Sequence, residues 1–270
     1  MTFNSILNRA KKTAIKATSE AGALILHHFE RDKKIEQKGT DGDVVTEVDR
    51  MAERLIRKRI RSVFVDHQIR GEEFGQVDAQ ESEWIWLIDP LDGTNNYAIG
   101  LPVYAVCVTL MYRNEPVLGI IYEPHLHRMH VAQKDRGAQC NEQFFTMKKT
   151  GEAKPTLAWI QGHHVLRDPN AMRLRVSMLQ QSKRILTLWA PSVAWCLLAK
   201  GEIDAIVLYD SEGEDLYGGV LLAREAGASV IQFNGDDFFG QRDHPYVIAC
   251  HPSKKEIFLD MVRNGLNSKN

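Results

Sequence analysis

The chain has 270 residues, 44% hydrophobic and 26% charged, with 34 Lys+Arg against 35 Asp+Glu and a net charge of -1. These values suit a soluble globular protein of one large domain or two modest ones, and they exclude a disordered tail, a collagen-like rod and a coiled-coil filament. No basic excess drives counterion release, so a nucleic-acid polymer is not an expected partner.

The N-terminus reaches Lys11 and Lys12 before any long apolar block and lacks a signal-peptide core. The longest apolar stretch, 103–112, is about half a membrane span. No membrane association and a cytoplasmic location are expected. Ile6, Ala10, Ala14, Ala17, Ala21, Leu24 and Ile25 recur at spacings of three and four and predict one amphipathic helix over 2–29. A polar segment, 31–43, contains Gly39 and Gly42. A second helix is expected from near Thr46 or Asp49 to Ser62, with Met51, Leu55, Ile56 and Ile60 on its apolar face. Its Arg54, Arg57, Lys58, Arg59 and Arg61 read as a solvated outer face rather than an anion site.

A strand is expected at 66–70, followed by Gly71-Glu72-Glu73. The run Trp84 to Ile88 is wholly apolar and stops at Asp89-Pro90, as a buried strand would. Strand-like segments at 104–112, 117–122 and 127–133, divided by Asn114-Glu115-Pro116 and Glu123-Pro124 turns, predict an antiparallel meander. Beyond about residue 145 strands at 185–188, 203–208 and 229–233 alternate with helices at 192–200 and 215–226, which stop at Gly201 and Gly227. Two packed subdomains are expected, α+β over 1–145 and α/β over 146–270.

Cys107, Cys140, Cys196 and Cys250 are scattered among apolar neighbours, and none forms a C-x-x-C pair. Buried reduced thiols are expected rather than disulfides or a zinc site. His125, His127 and His130 read as a surface set, and His163-His164 and His27-His28 have no special role. Phe144-Phe145 and Tyr97 either wall a site or pack.

The acidic residues carry the chemistry. A buried strand should not end in the unpaired carboxylates of Asp89 and Asp92 without compensation. Pro90 fixes the turn between them, the Leu91 carbonyl lies between them, and Gly93 lets a ligand approach the backbone. Thr94 and Asn95 read as a helix start, whose free N–H groups favour an oxyanion. Hard carboxylates beside an anion cradle suggest Mg²⁺ with substrate phosphate oxygens. Asp43-x-Val45-Thr46-x-Val48-Asp49 and Glu212-Gly213-Glu214-Asp215 are further acidic clusters.

In this order, Asp43 to Asp49, Gly71-Glu72-Glu73, Trp86-x-Ile88-Asp89-Pro90-Leu91-Asp92-Gly93-Thr94-Asn95 and Asp215-x-x-Gly218 resemble the inositol monophosphatase family of Mg²⁺-dependent phosphomonoesterases. The resemblance runs from about residue 10 to residue 250. It implies a layered αβαβα sandwich with a mixed, mostly antiparallel N-terminal sheet and a smaller C-terminal α/β subdomain. It also implies two or three Mg²⁺ ions. Glu72, Asp89 and the Leu91 carbonyl would hold the first; Asp89, Asp92 and Asp215 the second; Glu72 would help a third. Asp49 and Thr94 would orient and deprotonate the attacking water, and the N–H groups of Gly93 and Thr94 would hold the phosphate. Asn95, Ala190 and Asp210 are the remaining candidate substrate contacts. Lys38 stands where the family often has a lysine, with a solvated surface lysine as the alternative. A homodimer acting on a small phosphorylated metabolite is the implied assembly.

Three positions depart from the family pattern. Glu214 stands where Trp is usual before Asp215. Trp189-Ala190-Pro191-Ser192 replaces a Gly-Ser/Thr-Ala-Ala turn, giving a bulkier pocket with fewer donors. The acid expected to contact the sugar falls on Leu208 by direct count, and Asp210 serves only with a gap. The expected substrate is therefore an inositol monophosphate-like compound, a sugar phosphate or histidinol phosphate. A nucleotide 3′-phosphate or fructose bisphosphate is the alternative. An aspartyl-nucleophile phosphatase is the nearest rival mechanism, but its Asp-x-Asp spacing is one residue shorter than Asp89 to Asp92. A non-catalytic relative that binds a phosphorylated ligand is the rival from another class.

Overall fold

The protein is described by a computed structural model that covers residues 2–31, 33–38, 43–76, 81–149, 151 and 153–267; Gly39 and Gly42 lie outside these. Helix α1 (Phe3–Phe29) starts where the Thr2 side chain accepts the Ser5 N–H. Its buried Ala10, Ala14, Ala17 and Ala21 give it a flat, small-residue face. A hairpin of β1 (Ile35–Lys38) and β2 (Asp43–Thr46) leads into α2 (Glu47–Arg61), which opens with a capping box between Thr46 and Asp49. On its basic face, Arg57 pairs with Glu53 and Arg59 with Glu20, each at 2.6 Å. These two arginines are tied down rather than freely solvated.

The first sheet contains β3 (Gln68–Gly71), β4 (Gly75–Gln76), β5 (Trp84–Asp92), β6 (Ala105–Tyr112), β7 (Glu115–Glu123), β8 (Arg128–Gln133), β9 (Ala138–Cys140) and β10 (Gln143–Phe145). Their order is β10-β9-β8-β7-β6-β5-β3-β4, antiparallel except for β3 beside β5. This is the expected meander, with one difference. Strand β5 does not stop at Asp89-Pro90; it continues to Asp92 through a register shift against β6. Proline tolerates such an irregularity because no regular ladder bond is demanded of its missing N–H.

After α3 (Thr94–Ala98) and the meander come β11 (Thr156–Gln161), α4 (Pro169–Gln181), β12 (Arg184–Leu186), α5 (Pro191–Lys200), β13 (Ala205–Tyr209), α6 (Leu216–Glu225), β14 (Ser229–Gln232), β15 (Tyr246–Cys250) and α7 (Lys255–Asn267). The second sheet runs β12-β11-β13-β15-β14, with β11 parallel to both neighbours and β15 antiparallel to both of its own. Strand alternation divides the core into layers. Trp86, Ile88, Val106 and Val108 face α1 and α2. Leu87 and Cys107 face the opposite way, onto α5 and α6, which also cover Ile206 and Leu208. Leu157, Val207 and Ile248 look outward onto α4 and α7. The result is an αβαβα sandwich.

The sequence pattern did not predict β11, α4, β15 or α7. Helix α4 shows why: Ala171, Leu174 and Met178 are buried while Met172, Val176 and Leu179 are exposed, so apolar residues on both faces blur the period. The glycine pair in α6 permits a close approach, but to the sheet and α5. A Cβ on Gly218 would lie 2.6 Å from Thr109 Oγ1 and 2.8 Å from Cys107 Sγ, and one on Gly219 would overlap Trp195. Gly218→Ala is expected to cost about 1–3 kcal/mol through overpacking. Denaturant unfolding should show a lower midpoint with an unchanged slope. An unchanged midpoint would contradict the close packing.

Candidate active site

A cavity of about 810 Å³ opens where the strand ends of both sheets meet. Glu72, Asp89, Leu91, Asp92, Gly93, Thr94, Asn95, Ala190 and Asp215 all line it. Each arrives by a local rule. Glu72 follows β3, and its N–H bonds the Ile88 carbonyl at 3.0 Å, which fixes it beside β5. Asp89 and Asp92 both lie on the irregular end of β5, where the Leu91 N–H donates to Asp89 Oδ1 at 3.0 Å. Asp215 is the N-cap of α6, yet its carboxylate makes no capping bond and is left to the cavity.

Gly93 takes φ 102°, a left-handed conformation that turns β5 into α3. A Cβ there would sit 2.9 Å from the Val103 carbonyl oxygen and 3.1 Å from the Ala190 Cβ. Both the dihedral and the space demand glycine. The turn aims the first N–H groups of α3, which have no helical carbonyl to bond, at the cavity.

The electrostatics of the acidic wall are unfavourable as they stand. Burial raises Asp89 and Asp92 well above the carboxylate range; Glu72 adds most to Asp89 and Asp215 most to Asp92. Burial and then Glu72 push Asp215 up to about 7. Among the described residues no lysine or arginine forms an ion pair with these three aspartates. Asp92 accepts the backbone N–H of Ser192 at the start of α5, which offsets part of the cost. Lys38 reaches only the outer acids, Glu72 at 2.9 Å and Glu73 at 2.5 Å. It is tied to these two acids rather than freely solvated. Burial opposes its charge, but the two carboxylates hold it above its ordinary value.

Such a wall fits hard divalent cations, since every donor is oxygen and its three aspartates have no lysine or arginine partner among the described residues.

Beside this wall, Thr94 Oγ1 lies 2.8 Å from Asp49 Oδ1 and 2.9 Å from the Leu91 carbonyl oxygen. Its single proton can go to one at a time. Asp49 is buried at the start of α2, where the Thr46 N–H and hydroxyl both donate to its other oxygen. Burial raises its pKa while these hydrogen bonds, from Thr46 and Thr94, oppose the rise. The hairpin β1–β2, the capping box and α3 thus converge on one dyad.

The departures now have structural reasons. Glu214 forms a 2.9 Å ion pair with Arg70 of β3, tying the Asp215 loop to the strand that delivers Glu72. Trp189 is half-exposed at φ 55° and lies against the His163 ring, with centroids 5.4 Å apart. Leu208 is core. Asp210 is not a lining residue. Its carboxylate is taken by His164 Nε2 and His244 Nδ1, each at 3.0 Å, and those imidazoles line the cavity instead. His163, His164 and His244 were missed because they meet only through loops remote in sequence. His130 was also misread. It is fully buried, because both faces of β8 are covered where it sits, while His125 and His127 are exposed. Tyr97 packs, donating to the Ile25 carbonyl, and Phe144 is exposed; neither lines the cavity.

The sequence pattern of the inositol monophosphatase family matches residues 7–264. The chain is 30% identical over 267 residues to the fructose-1,6-bisphosphatase/inositol-1-monophosphatase of Aquifex aeolicus, covering 95% of this chain and 96% of that one. It is 29% identical over 262 residues to the Nus factor SuhB of Vibrio cholerae, covering 94% and 96%. That name leaves the expectation of no nucleic-acid partner without support. No helix of the described residues is long and apolar enough to cross a membrane. In fold it matches the suhB protein of Bartonella henselae (TM-score 0.86, 21% identity, 95% and 99% covered) and the inositol monophosphatase of Anabaena (TM-score 0.84, 23% identity, 96% of each). With the acidic cavity, the Asp49–Thr94 dyad and a match along nearly its whole length, the chain belongs to the inositol monophosphatase family, a phosphatase-type and generally metal-dependent family.

Proposed function

We propose that the chain hydrolyses a small phosphomonoester in an Mg²⁺-dependent reaction, by direct attack of water and without a phosphoenzyme. The observation that carries this reading is the Asp49–Thr94 hydrogen bond of 2.8 Å set beside buried carboxylates that lack cationic partners. Glu72, Asp89 and the Leu91 carbonyl are the proposed ligands of one ion, Asp89, Asp92 and Asp215 those of a second, and Glu72 helps a third. Mg²⁺ bound there supplies charge neutralisation for the phosphate oxygens and acidifies water.

The protein's own groups do the rest. Asp49, fixed by Thr46, accepts the Thr94 proton, and the Thr94 oxygen then accepts a hydrogen bond from the attacking water and takes up its proton. The N–H groups of Gly93 and Thr94 hold the phosphate, with Asn95 and Ala190 beside it. Phosphoryl transfer asks chiefly for positioning and charge balance, which this arrangement supplies without a covalent step. His164, His244 and Trp189 also line the cavity and are the proposed neighbours of the leaving group. Inositol monophosphate-like compounds, sugar phosphates and histidinol phosphate are the proposed substrates, with a nucleotide 3′-phosphate or fructose bisphosphate as the alternative. The homodimer and the cytoplasmic location implied by the family resemblance belong to the same proposal.

The relatives named Nus factor SuhB favour a second reading, in which the chain has such a role beside or in place of hydrolysis. An Asp92→Asn protein that loses turnover but keeps that role would separate the two.

Asp89→Asn and Asp92→Asn should abolish Mg²⁺-dependent phosphate release across a panel of these substrates while circular dichroism stays native. Thr94→Ala should lower kcat by about 10²–10⁴-fold with little change in KM. Near-wild-type turnover in any of these variants, or a trapped phospho-aspartate, would refute the assignment.

The acidic wall also sets a pH dependence. Asp215 is raised from 3.8 to about 7, so between these values the folded state binds more protons than the unfolded one. Stability of the metal-free protein should therefore fall as pH rises from about 4 to about 7, at about 2–4 °C in Tm per kcal/mol lost. Mg²⁺ should stabilise more at the upper end of that window than at the lower. Equal Mg²⁺ shifts at both ends would contradict the carboxylate assignment.

A further inference from the structure

A second donor cluster lies away from the cavity. Glu123 at the end of β7, His130 in β8 and Cys196 in α5 are all buried, and one donor atom from each lies within 4.8 Å of the other two. His130 Nε2 is 2.8 Å from Glu123 Oε1. Its other ring nitrogen, Nδ1, meets no partner at good hydrogen-bond geometry although the residue is 0% exposed, and the polar groups nearest the ring besides Glu123 are the thiols of Cys196 and Cys140. An orphaned polar atom in such a place costs about 1–3 kcal/mol. Cys140 is the cross-strand neighbour of His130 in the β8–β9 pairing, and its thiol lies against the same ring. Cys140 is only half-buried, which leaves the cluster an approach from solvent.

We propose that Glu123, His130, Cys196 and Cys140 form a Zn²⁺ site separate from the phosphatase cavity. The donor set decides the metal. One carboxylate, one imidazole and two thiols match a four-coordinate, borderline-soft cation, whereas Mg²⁺ takes oxygen donors only. Tetrahedral bonds of about 2.0–2.3 Å put neighbouring donors about 3.3–3.8 Å apart. Glu123, His130 and Cys196 already hold their donors within 4.8 Å of one another, the 2.8 Å Glu123–His130 contact must open by about 0.5 Å, and the Cys140 thiol must turn in as the fourth donor. Binding releases the thiol protons of Cys140 and Cys196 and any proton on His130 to solvent, with no change of oxidation state.

The position gives the ion a structural task. Cys196 lies one helical turn beyond Ser192, whose N–H holds Asp92. A cation at Cys196 fastens α5 to β7 and β8, and so holds the helix start that supports the acidic wall. The competing account is a buried Glu123–His130 pair packed against inert thiols.

The test uses the full chain, stripped with a chelator, saturated with Mg²⁺ to fill the oxygen sites, and titrated with Co²⁺. One equivalent should produce a thiolate-to-Co²⁺ charge-transfer absorption that Zn²⁺ displaces. The band should vanish in Cys196→Ser, weaken in Cys140→Ser and persist in Asp92→Asn. Absence of the band in the wild-type chain, or its survival in Cys196→Ser, overturns the proposal. If Cys196→Ser fails to fold, alkylation of Cys140 in the wild-type chain decides: Zn²⁺ should slow it, and an unchanged rate overturns the site.

Discussion

Mutual repulsion among buried carboxylates is the constraint from which the rest of this structure follows. Asp89, Asp92 and Asp215 sit where burial and neighbouring acids push their protons on, and none has a lysine or arginine partner among the described residues. A fold seldom holds such a group without a reason, since removing a carboxylate from water costs several kcal/mol unless it is paired. What compensates here is partial: the Leu91 N–H on Asp89, the Ser192 N–H on Asp92, and Lys38 on the outer acids. The remaining deficit is of the kind that divalent cations fill.

The layers explain how distant segments can share this deficit. Strand β5 lies between β6 and β3 in the first sheet and breaks register against β6 where its acids emerge. Helix α6 is pressed against that sheet by glycine at 218, which brings Asp215 to the same edge. Helix α5 begins at Pro191, so its first free N–H groups point back at Asp92. The Arg70–Glu214 pair then ties the loop of Asp215 to the strand preceding Glu72. A residue that looked like a lost packing tryptophan is thus a strut of the acidic wall.

The local parts of this arrangement were legible in the sequence, and the non-local parts were not. The stripe of α1, the start of α2 near Thr46, the meander and the glycine stops of α5 and α6 all depend on neighbours within a few residues, and periodicity or punctuation records them. Asp89 and Asp92 stood out because they end an apolar strand, whereas Asp49, Glu72 and Asp215, and the role given to Thr94, were read through the family resemblance. The Asp210–His164–His244 group left no such trace, because loops separated by 34 and 46 residues assemble it. The burial of His130 was not readable from alternation, because His130, Val131 and Ala132 are all buried and both faces of β8 are covered. Its grouping with Cys196 depends on the packing of α5 and was not readable either.

The most direct test of the central claim is anomalous diffraction from crystals of the protein soaked in Mn²⁺, a carboxylate-seeking stand-in for Mg²⁺. The account predicts at least two anomalous peaks within bonding distance of Glu72, Asp89, Asp92 and Asp215, with Thr94 facing the space beside them. A cavity without anomalous density at these carboxylates, at Mn²⁺ concentrations that saturate turnover, would contradict it.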